Sequence, residues 1–543
     1  MHTTTAKKVL SVRPVGTRAV LAELDGLQDV LALQDMLYKS PLPGQVDVLA
    51  AAETVMVVGE SAAATRAIGA RLLELELTVP EVTDSGLVVI DTVYDGDDLA
   101  DVAELTGLSV DGVIAAHTGQ VWTVAFAGFA PGFGYMVGEN EVLTVPRRSS
   151  PRTAVPAGSV ALGGQYSAVY PRRSPGGWQL IGRTGARMWD LNRPQPALVR
   201  PGDRVQYRAV REVVTASAHD SDADSDHHTG PGLRILNPGA LSLIEDLGRR
   251  GFGPLGVSAA GALDRASLRR SNRLVGNAPS AAAIESVNGG LTVEAVGDQV
   301  LAVTGAPTTL TVQSPSWFDD DGDEVSPGAQ RTVPMAAPFA LLDGEVLTLG
   351  APESGFRNYV AIRGGVDVPE VLGSRSADTM SGIGPAPLVI GQELPAGDAT
   401  ESTAVGSPEL QPGFPDEGVT VLDVVPGPRA DWFDQAALDS LTSQDWLVTP
   451  QSNRVGMRLD GTPLKRTREG ELPSEGTMAG ALQIPPAGLP VLFLADHPIT
   501  GGYPVIGVVR DEHLDRAAQV PIGGRIRFRF VHDSPDFSKT PEK

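Results

Sequence analysis

Through most of the 543-residue chain the apolar positions come in short runs of strand length, and only a few stretches carry the three-and-four spacing of an amphipathic helix. Between residues 8 and 85 the runs RAVLAEL (18–24) and TVMVVG (54–59) read as strands and ESAAATRAIGARLLELEL (60–77) as a helix. A small α+β domain is therefore expected over residues 1–85. From 86 to 212 the apolar runs are broken by Pro-Gly and Gly-Gly pairs, the punctuation of a compact β-barrel, with one helix expected in DDLADVAELTG (97–107), capped by Asp97 or Asp98. Residues 213–231, including HDSDADSDHHTG from His219, lack any apolar period and read as a flexible acidic linker. Its Asp and His side chains suit a metal in type, but a flexible low-complexity tract does not fix ligand geometry. Residues 232–532 return to the β-rich pattern at a length that fits two β-barrel subdomains, with a helix in DRASLRRSNRLVG (264–276) and a frayed tail over 533–543.

Composition sharpens this picture. The 62 Gly and 43 Pro favour a mainly β chain with many turns over a helical one. A net charge of −23 argues against a broad nucleic-acid or anionic-membrane surface, so an anionic ligand must be met locally. With no cysteine, disulfides, thiolate nucleophiles and Cys-ligated zinc are excluded, and no metal site is expected. The start MHTTTAKKVL lacks a signal-peptide core and no run approaches bilayer length, which predicts a cytoplasmic protein without a membrane partner.

One motif is written twice. SPGGWQLIG (174–182) and ITGGYPVIG (499–507) share the order Gly-Gly, aromatic, aliphatic, Ile-Gly, and each follows a small-residue strand ending in Gln, GSVALGGQ at Gln165 and GTMAGALQ at Gln483. We read this as one hairpin unit used in two related barrels. Paired glycines either turn a tight barrel corner or let a ligand or another chain approach the backbone.

Candidate chemistry gathers around these repeats. Between residues 147 and 193 there are eight arginines with Asp190 as the only acid, which forms either a local anion trap or a docking face for an acidic partner. Arg152, Gln165, Trp178, Gln179 and Arg183 are the candidate substrate- or phosphate-binding residues of this half. FAGFAPGFGYM (126–136) supplies either an aromatic pocket wall or strand-turn core. In the second half Asp264, Ser474, Gln483 and Tyr503 are binding candidates, and His497, Asp496 and Glu475 are catalytic candidates. Polar residues inside an apolar pattern must find partners or ligands. His497 suits a general base, yet adjacent strand residues point to opposite faces, so a direct Asp496–His497 relay is not expected and a satisfied structural His is the alternative. No P-loop, HExxH, GxSxG, dinucleotide fingerprint or Met-Lys-Met biotin segment is present.

At these residues the chain resembles two known families. Residues 8–212, through GFAPGFGYM, PRTAVPAGSVALGGQ and SPGGWQLIGRT, resemble the B component of bacterial 5-oxoprolinase, a family also called allophanate hydrolase subunit 1 and including a sporulation-kinase inhibitor. Residues 232–532, through EDLGRRGFGPLGVSAAGALD, SNRVGMRLDG and SEGTMAGALQIPPAGLPVLFLADHPITGGYPVIG, resemble the C component, or allophanate hydrolase subunit 2. Both are similar to the carboxyltransferase region of urea carboxylase, which implies cyclophilin-like β-barrels. The resemblance implies a fused B and C component of an ATP-dependent hydrolase that opens 5-oxo-L-proline to L-glutamate with the A component of 5-oxoprolinase on a separate chain. It further implies Mg-ATP held without a P-loop, no covalent biotin on this chain, and a small-molecule substrate, while leaving homo-oligomerisation open. Biotin-dependent carboxyl transfer and kinase inhibition are the alternatives.

Overall fold

Strand Ala19–Glu23 is buried at four successive positions because both of its faces are covered. Its Cβ atoms alternate between faces. Val20 and Ala22 join one core with helices Leu27–Lys39 and Ala62–Glu74 and with aromatic residues further along the chain, whereas Ala19 and Leu21 pack with Val425, Phe493 and Val508 near the C-terminus. The strand belongs to a four-stranded antiparallel sheet ordered Ser11–Val15, Ala19–Glu23, Thr54–Gly59, Gln45–Ala50. The computed structural model describes residues 7–77, 86–212, 230–318, 324–326, 328–415, 418–470 and 472–531. Most of the expected linker and the whole tail from 533 lie outside the described residues.

Helix Ala62–Glu74 begins where the pattern places it, with the Ser61 hydroxyl accepting the Ala64 N–H at 3.1 Å. Helix Leu99–Thr106 starts after Asp98, but the Asp98 side chain does not cap it. Helix Arg265–Val275 is capped by Asp264, which accepts the Ser267 N–H at 2.9 Å. Sequence periodicity missed Leu27–Lys39, Val110–Thr118, Gln435–Ser443 and Asp511–Ala518.

In chain order, strands Val88–Thr92, Trp122–Ala127, Gly134–Val137, Ser159–Gly163, Tyr166–Val169, Gln179–Arg183 and Arg204–Ala209 make one seven-stranded sheet. A Val93–Arg183 bridge, with reciprocal N–H to O distances of 2.9 and 2.8 Å, closes it. Strands Val419–Pro426, Trp446–Val448, Gly456–Asp460, Ala481–Gln483, Val491–Phe493, Val505–Val509 and Arg525–Phe530 form a second closed barrel. Around both barrels the order is first, sixth, fourth, fifth, third, second, seventh, and in both the first and seventh strands pair in parallel. Each also carries a two-stranded ribbon, Arg152–Val155 with Ser174–Gly176 and Glu475–Gly476 with Thr500–Gly501. The doubled motif therefore marks a doubled topology, and its first glycine has a steric reason. A Cβ on Gly176 would collide with the Tyr170 hydroxyl, and one on Gly501 would sit 2.5 Å from Gln483 Nε2.

The remaining expected barrel is instead a pair of open sheets. Six strands, ordered from Gln330–Val333 to Glu393–Pro395, face five, ordered from Leu241–Glu245 to Pro338–Leu341, around one core that includes Ile235, Val293, Ile284 and Val360. Barrels and two-sheet sandwiches bury the same short alternating runs, so apolar pattern alone does not separate them. Among the described residues no helix is long and apolar enough to cross a membrane.

A glycine-rich segment, residues 245–264, joins these units. Gly251 donates its N–H to Asp47 Oδ2 at 3.2 Å, and a Cβ on Gly253 would displace the Leu49 side chain, so glycine lets the segment lie closely against the N-terminal sheet. Gly132 of the first barrel donates to Leu255 O at 3.1 Å. The segment's far side is held by Arg454, which is 2% exposed and reaches Glu285 at 2.5 Å, Glu245 at 3.1 Å, Asp496 at 3.0 Å and Gly261 O at 2.7 Å. Arg357 lies 3.5 Å from the same Glu285. Two buried cations thus face three buried carboxyls, and one carboxyl must keep its proton. Burial pushes Glu245 well above the usual carboxylate range, whereas for Glu285 the nearby Arg454 and Arg357 outweigh burial and pull it below.

Removing the shared cation strands the acids. Arg454→Met should destabilise the fold by roughly 3–5 kcal/mol in urea unfolding. Glu245→Gln should leave the fold intact and change its pH response. With the folded pKa raised above the ordinary 4.5, the Glu245 contribution is full below that value and fades as pH rises through the folded pKa. The Gln variant should therefore gain on the wild type as pH rises above 4.5, and parallel pH profiles would contradict the assignment.

Candidate functional site

The arginine-rich segment recruits its counter-charges from 50 or more residues upstream. Arg148 and Arg152 both reach Asp98 Oδ1, at 2.5 and 2.7 Å, while the Leu180 N–H donates to Asp98 Oδ2 at 2.7 Å. Burial alone would raise Asp98, but Arg152, the Leu180 N–H and Arg148 outweigh it and hold the carboxyl below its usual range. Arg183 pairs with Asp95 at 2.9 Å on the surface, its side chain 54% exposed. Trp178 is buried against Phe133 and Tyr135, with the Arg147 guanidinium 5.8 Å from its ring centroid. Gln179 donates to Pro146 O at 3.1 Å, and Gln165 is exposed, donating to the Tyr166 hydroxyl at 3.2 Å. The FAGFAPGFGYM aromatics are core: Phe126 stacks on Tyr135 at 4.3 Å between centroids.

Equivalent positions of the second barrel carry the opposite charge. Arg152 pairs across its ribbon with Gly176, and Glu475 pairs across the matching ribbon with Gly501, each opposite the first glycine of the doubled motif. Where Arg152 meets Asp98, Glu475 meets Arg429 at 2.9 Å, and Arg429 also reaches Glu23 of the N-terminal sheet at 2.6 Å. Glu475 is thereby committed to an ion pair between domains. Ser474 joins the same contact through its carbonyl, which accepts the Ala52 N–H at 3.1 Å. Gln483 donates to Tyr503 O at 3.2 Å, and the exposed Tyr503 ring has Arg466 5.9 Å from its centroid. Asp264 is spent on the helix cap and on the Gln519 amide at 2.7 Å.

Asp496 and His497 point apart. Asp496 pairs with Arg454 and accepts the Thr379 hydroxyl at 2.6 Å. His497 is buried beside Phe493, and its Nδ1 donates to Pro498 O at 2.9 Å, which leaves Nε2 as the ring's acceptor. Burial holds the imidazole below its usual range, so the ring is neutral at pH 7.

Of the candidates, His497 alone lines a cleft of two adjoining hollows of about 260 and 130 Å³. Its walls come from three units: Arg18, Asp47 and Met56 from the N-terminal sheet, Arg250, Arg265 and Arg269 from the segment after Glu245 and its helix, and Ala495, Asp511 and Asp515 from the second barrel. Neighbouring Arg249 and Arg250 divide their tasks. Arg249 is buried and donates to Val371 O at 3.3 Å, whereas Arg250 lines the cleft. Partial desolvation, then Arg265 and Arg18, hold the Arg250 guanidinium below the usual arginine range. Arg18 crosses the cleft to Asp511 at 3.0 Å. The Asp515 carboxyl accepts the Arg265 N–H at 2.8 Å and is pushed up to about 6, first by burial and then by Asp264. Burial likewise raises Asp47 to about 6. The stretches around Arg250, Arg265 and Arg269 are recognisable in the sequence, but nothing local singles these three arginines out. Their convergence with Arg18 and Asp515 spans nearly 500 residues of chain and leaves no local signal.

A substitution pair separates buried from surface pairing in the arginine segment. Asp98→Asn should cost roughly 1.5–3 kcal/mol because three charge-assisted or backbone bonds converge on the carboxylate, and Arg183→Lys less than about 0.5 kcal/mol. Equal effects in urea unfolding would contradict this division.

Comparison with known proteins follows the same two halves. Residues 10–199 match the family "Carboxyltransferase domain, subdomain C and D", and residues 255–530 match "Carboxyltransferase domain, subdomain A and B". The chain is 38% identical to the C component of 5-oxoprolinase from Escherichia coli (strain K12) over 301 residues, covering 54% of this chain and 90% of that protein. It is 45% identical to the B component of 5-oxoprolinase from Escherichia coli O157:H7 over 144 residues, 26% of this chain and 65% of that protein. The crystal structure of TTHA0988 superimposes with a TM-score of 0.81 at 31% identity, covering 94% of this chain and 99% of the other. The chain belongs to the carboxyltransferase-domain family, as a single polypeptide in which a half of the 5-oxoprolinase B type is fused to a half of the C type.

Proposed function

We propose that this chain supplies the B and C components of an ATP-dependent 5-oxoprolinase, which opens 5-oxo-L-proline to L-glutamate together with a separate A component. The observation that carries this reading is the pairing of both component types in one chain around one cleft, whose walls are drawn from both halves. The shared strand order makes the two barrels one type, and we assign that type as cyclophilin-like on the resemblance alone.

A five-membered lactam is a poor acyl donor, and the chemistry nucleotide supplies when bound is a phosphoryl group that turns the amide oxygen into a leaving group. Arg250, Arg265 and Arg269 fit the oxyanions of such a reaction. Among the described residues no three His, Asp or Glu converge as a metal site. Magnesium carried on phosphates uses only one or two carboxylates, and Asp511 and Asp515 lie beside the arginines. His497, neutral with Nε2 open as an acceptor, suits removal of a proton from attacking water. Leu263, Leu494 and Leu514 give the hollow an apolar wall for the ring methylenes.

Carboxyl transfer is the second reading, favoured by the description of the family that both halves match. It requires a biotin carboxylase and a biotinylated carrier on other chains.

Reconstitution decides between them. The purified chain alone should show little 5-oxoproline hydrolysis, and adding an A-component protein with Mg-ATP should release glutamate and ADP in equal amounts. Glutamate without nucleotide consumption, or none with any A-component protein, would overturn the proposal. Carboxylation of a small amide with a biotinylated carrier would establish the second reading.

A further inference from the structure

Arg250 and Arg265 come to the same hollow from two different elements, with Arg269 beside them. Among the described residues neither guanidinium has a carboxylate within ion-pair distance, although the protein carries 66 acids against 43 bases. Their neighbours are accounted for: Arg18 is held by Asp511 at 3.0 Å, and Arg249 by the Val371 and Ser376 carbonyls. Both guanidiniums line the larger hollow, of about 260 Å³, with the small apolar surface of Ala262, Leu263, Ala479, Leu494 and Ala495 between the charged walls.

Their placement is built into the fold. Arg265 is the first residue of a helix whose cap, Asp264, is locked by Ser267 and Gln519, and its own N–H is fixed on Asp515. Arg250 follows Arg249, whose guanidinium is anchored under the 371–376 turn, and precedes Gly251, whose N–H is tied to Asp47. Burial first, then Arg265 and Arg18, hold the Arg250 guanidinium down, and Asp511 offsets them only in part, so an anion entering between Arg250 and Arg265 is favoured.

We propose that Arg250 and Arg265 form the seat for the carboxylate of a small cyclic amide acid, with the ring methylenes against Ala262, Leu263 and Leu494. This assignment rests on the 5-oxoprolinase reading for the identity of the ligand, while the seat itself rests on the cleft. A carboxylate and a phosphate share the oxyanion chemistry that two guanidiniums recognise. The planar two-oxygen fork and the apolar strip select the carboxylate acid.

Isothermal titration of the full chain with 5-oxo-L-proline, 2-pyrrolidinone and inorganic phosphate tests the seat. 5-Oxo-L-proline should bind, and 2-pyrrolidinone, which keeps the ring and lacks the carboxylate, should not. Arg250→Gln and Arg265→Gln should each weaken 5-oxo-L-proline binding roughly ten- to a hundred-fold with unchanged thermal unfolding. Arg208→Gln, a surface partner of Asp91, should not change it. Undiminished binding in both glutamine variants, equal binding of 2-pyrrolidinone, or saturation by phosphate with no 5-oxo-L-proline binding would overturn the seat. Turnover with the A component at an unchanged KM in both variants would also place the carboxylate elsewhere while leaving the hydrolase reading standing. Carboxylate-dependent binding lost in the variants, without glutamate formation in any pairing, would support the seat and count against that reading.

Discussion

One buried guanidinium carries much of the architecture. Arg454 enters a dry space between the two-sheet region and the second barrel, where three carboxyls and a carbonyl converge on it. Taking such charges out of water is costly, and the site is tolerable only because the acids and cations balance once Glu245 keeps its proton. What the arrangement gains is position. Glu245 and Gly261 bracket the glycine-rich segment, so pinning both fixes the loop between them, and that loop carries Arg250 to one side and Arg249 to the other. The same loop touches Asp47 and Leu49 of the N-terminal sheet and Gly132 of the first barrel. All the units that wall the cleft are thus located relative to a single buried network.

The two barrels show how one topology is turned to different contacts. Strand order, parallel closure and accessory ribbon are the same, and the charged residue opposite the first motif glycine is reversed, Arg152 in one and Glu475 in the other. In the first barrel the pair with Asp98 stays within the domain. In the second, Arg429 extends the pair to Glu23, and the ion pair becomes part of the joint between the halves. The N-terminal sheet completes that joint with its second apolar face, through Leu21 and Met56 against Phe493 and Ile499.

Much of this was legible in local pattern, and the failures have physical causes. TVMVVG announced a strand by its unbroken apolar run and DRASLRRSNRLVG announced a helix, while Asp264, read as a binding candidate, is that helix's cap. Helix Leu27–Lys39 escaped because its buried Asp29 and Gln34 interrupt the apolar spacing that tertiary packing nonetheless accepts. The rule that polar residues in apolar strands need partners was sound for Glu475, Asp496 and Gln483. Their partners are Arg429, Arg454 and a backbone carbonyl, and no spacing rule tells an internal partner from a ligand. The segment 147–193 looked like an anion trap or a docking face because, apart from Asp190, its counter-charges Asp95 and Asp98 lie outside the window. The converse holds at the cleft, where arginines scattered from 18 to 269 meet only in three dimensions.

The two halves make one body, joined by surfaces and not merely by a covalent connection. Producing residues 1–212 and 230–543 as two polypeptides in the same cell and measuring the mass of the purified species by light scattering tests this directly. A single 1:1 complex that persists at high dilution is expected, because Leu21 and Met56 bury against the other half and Glu23 and Asp47 bond to it. Two independently eluting, folded fragments would contradict it.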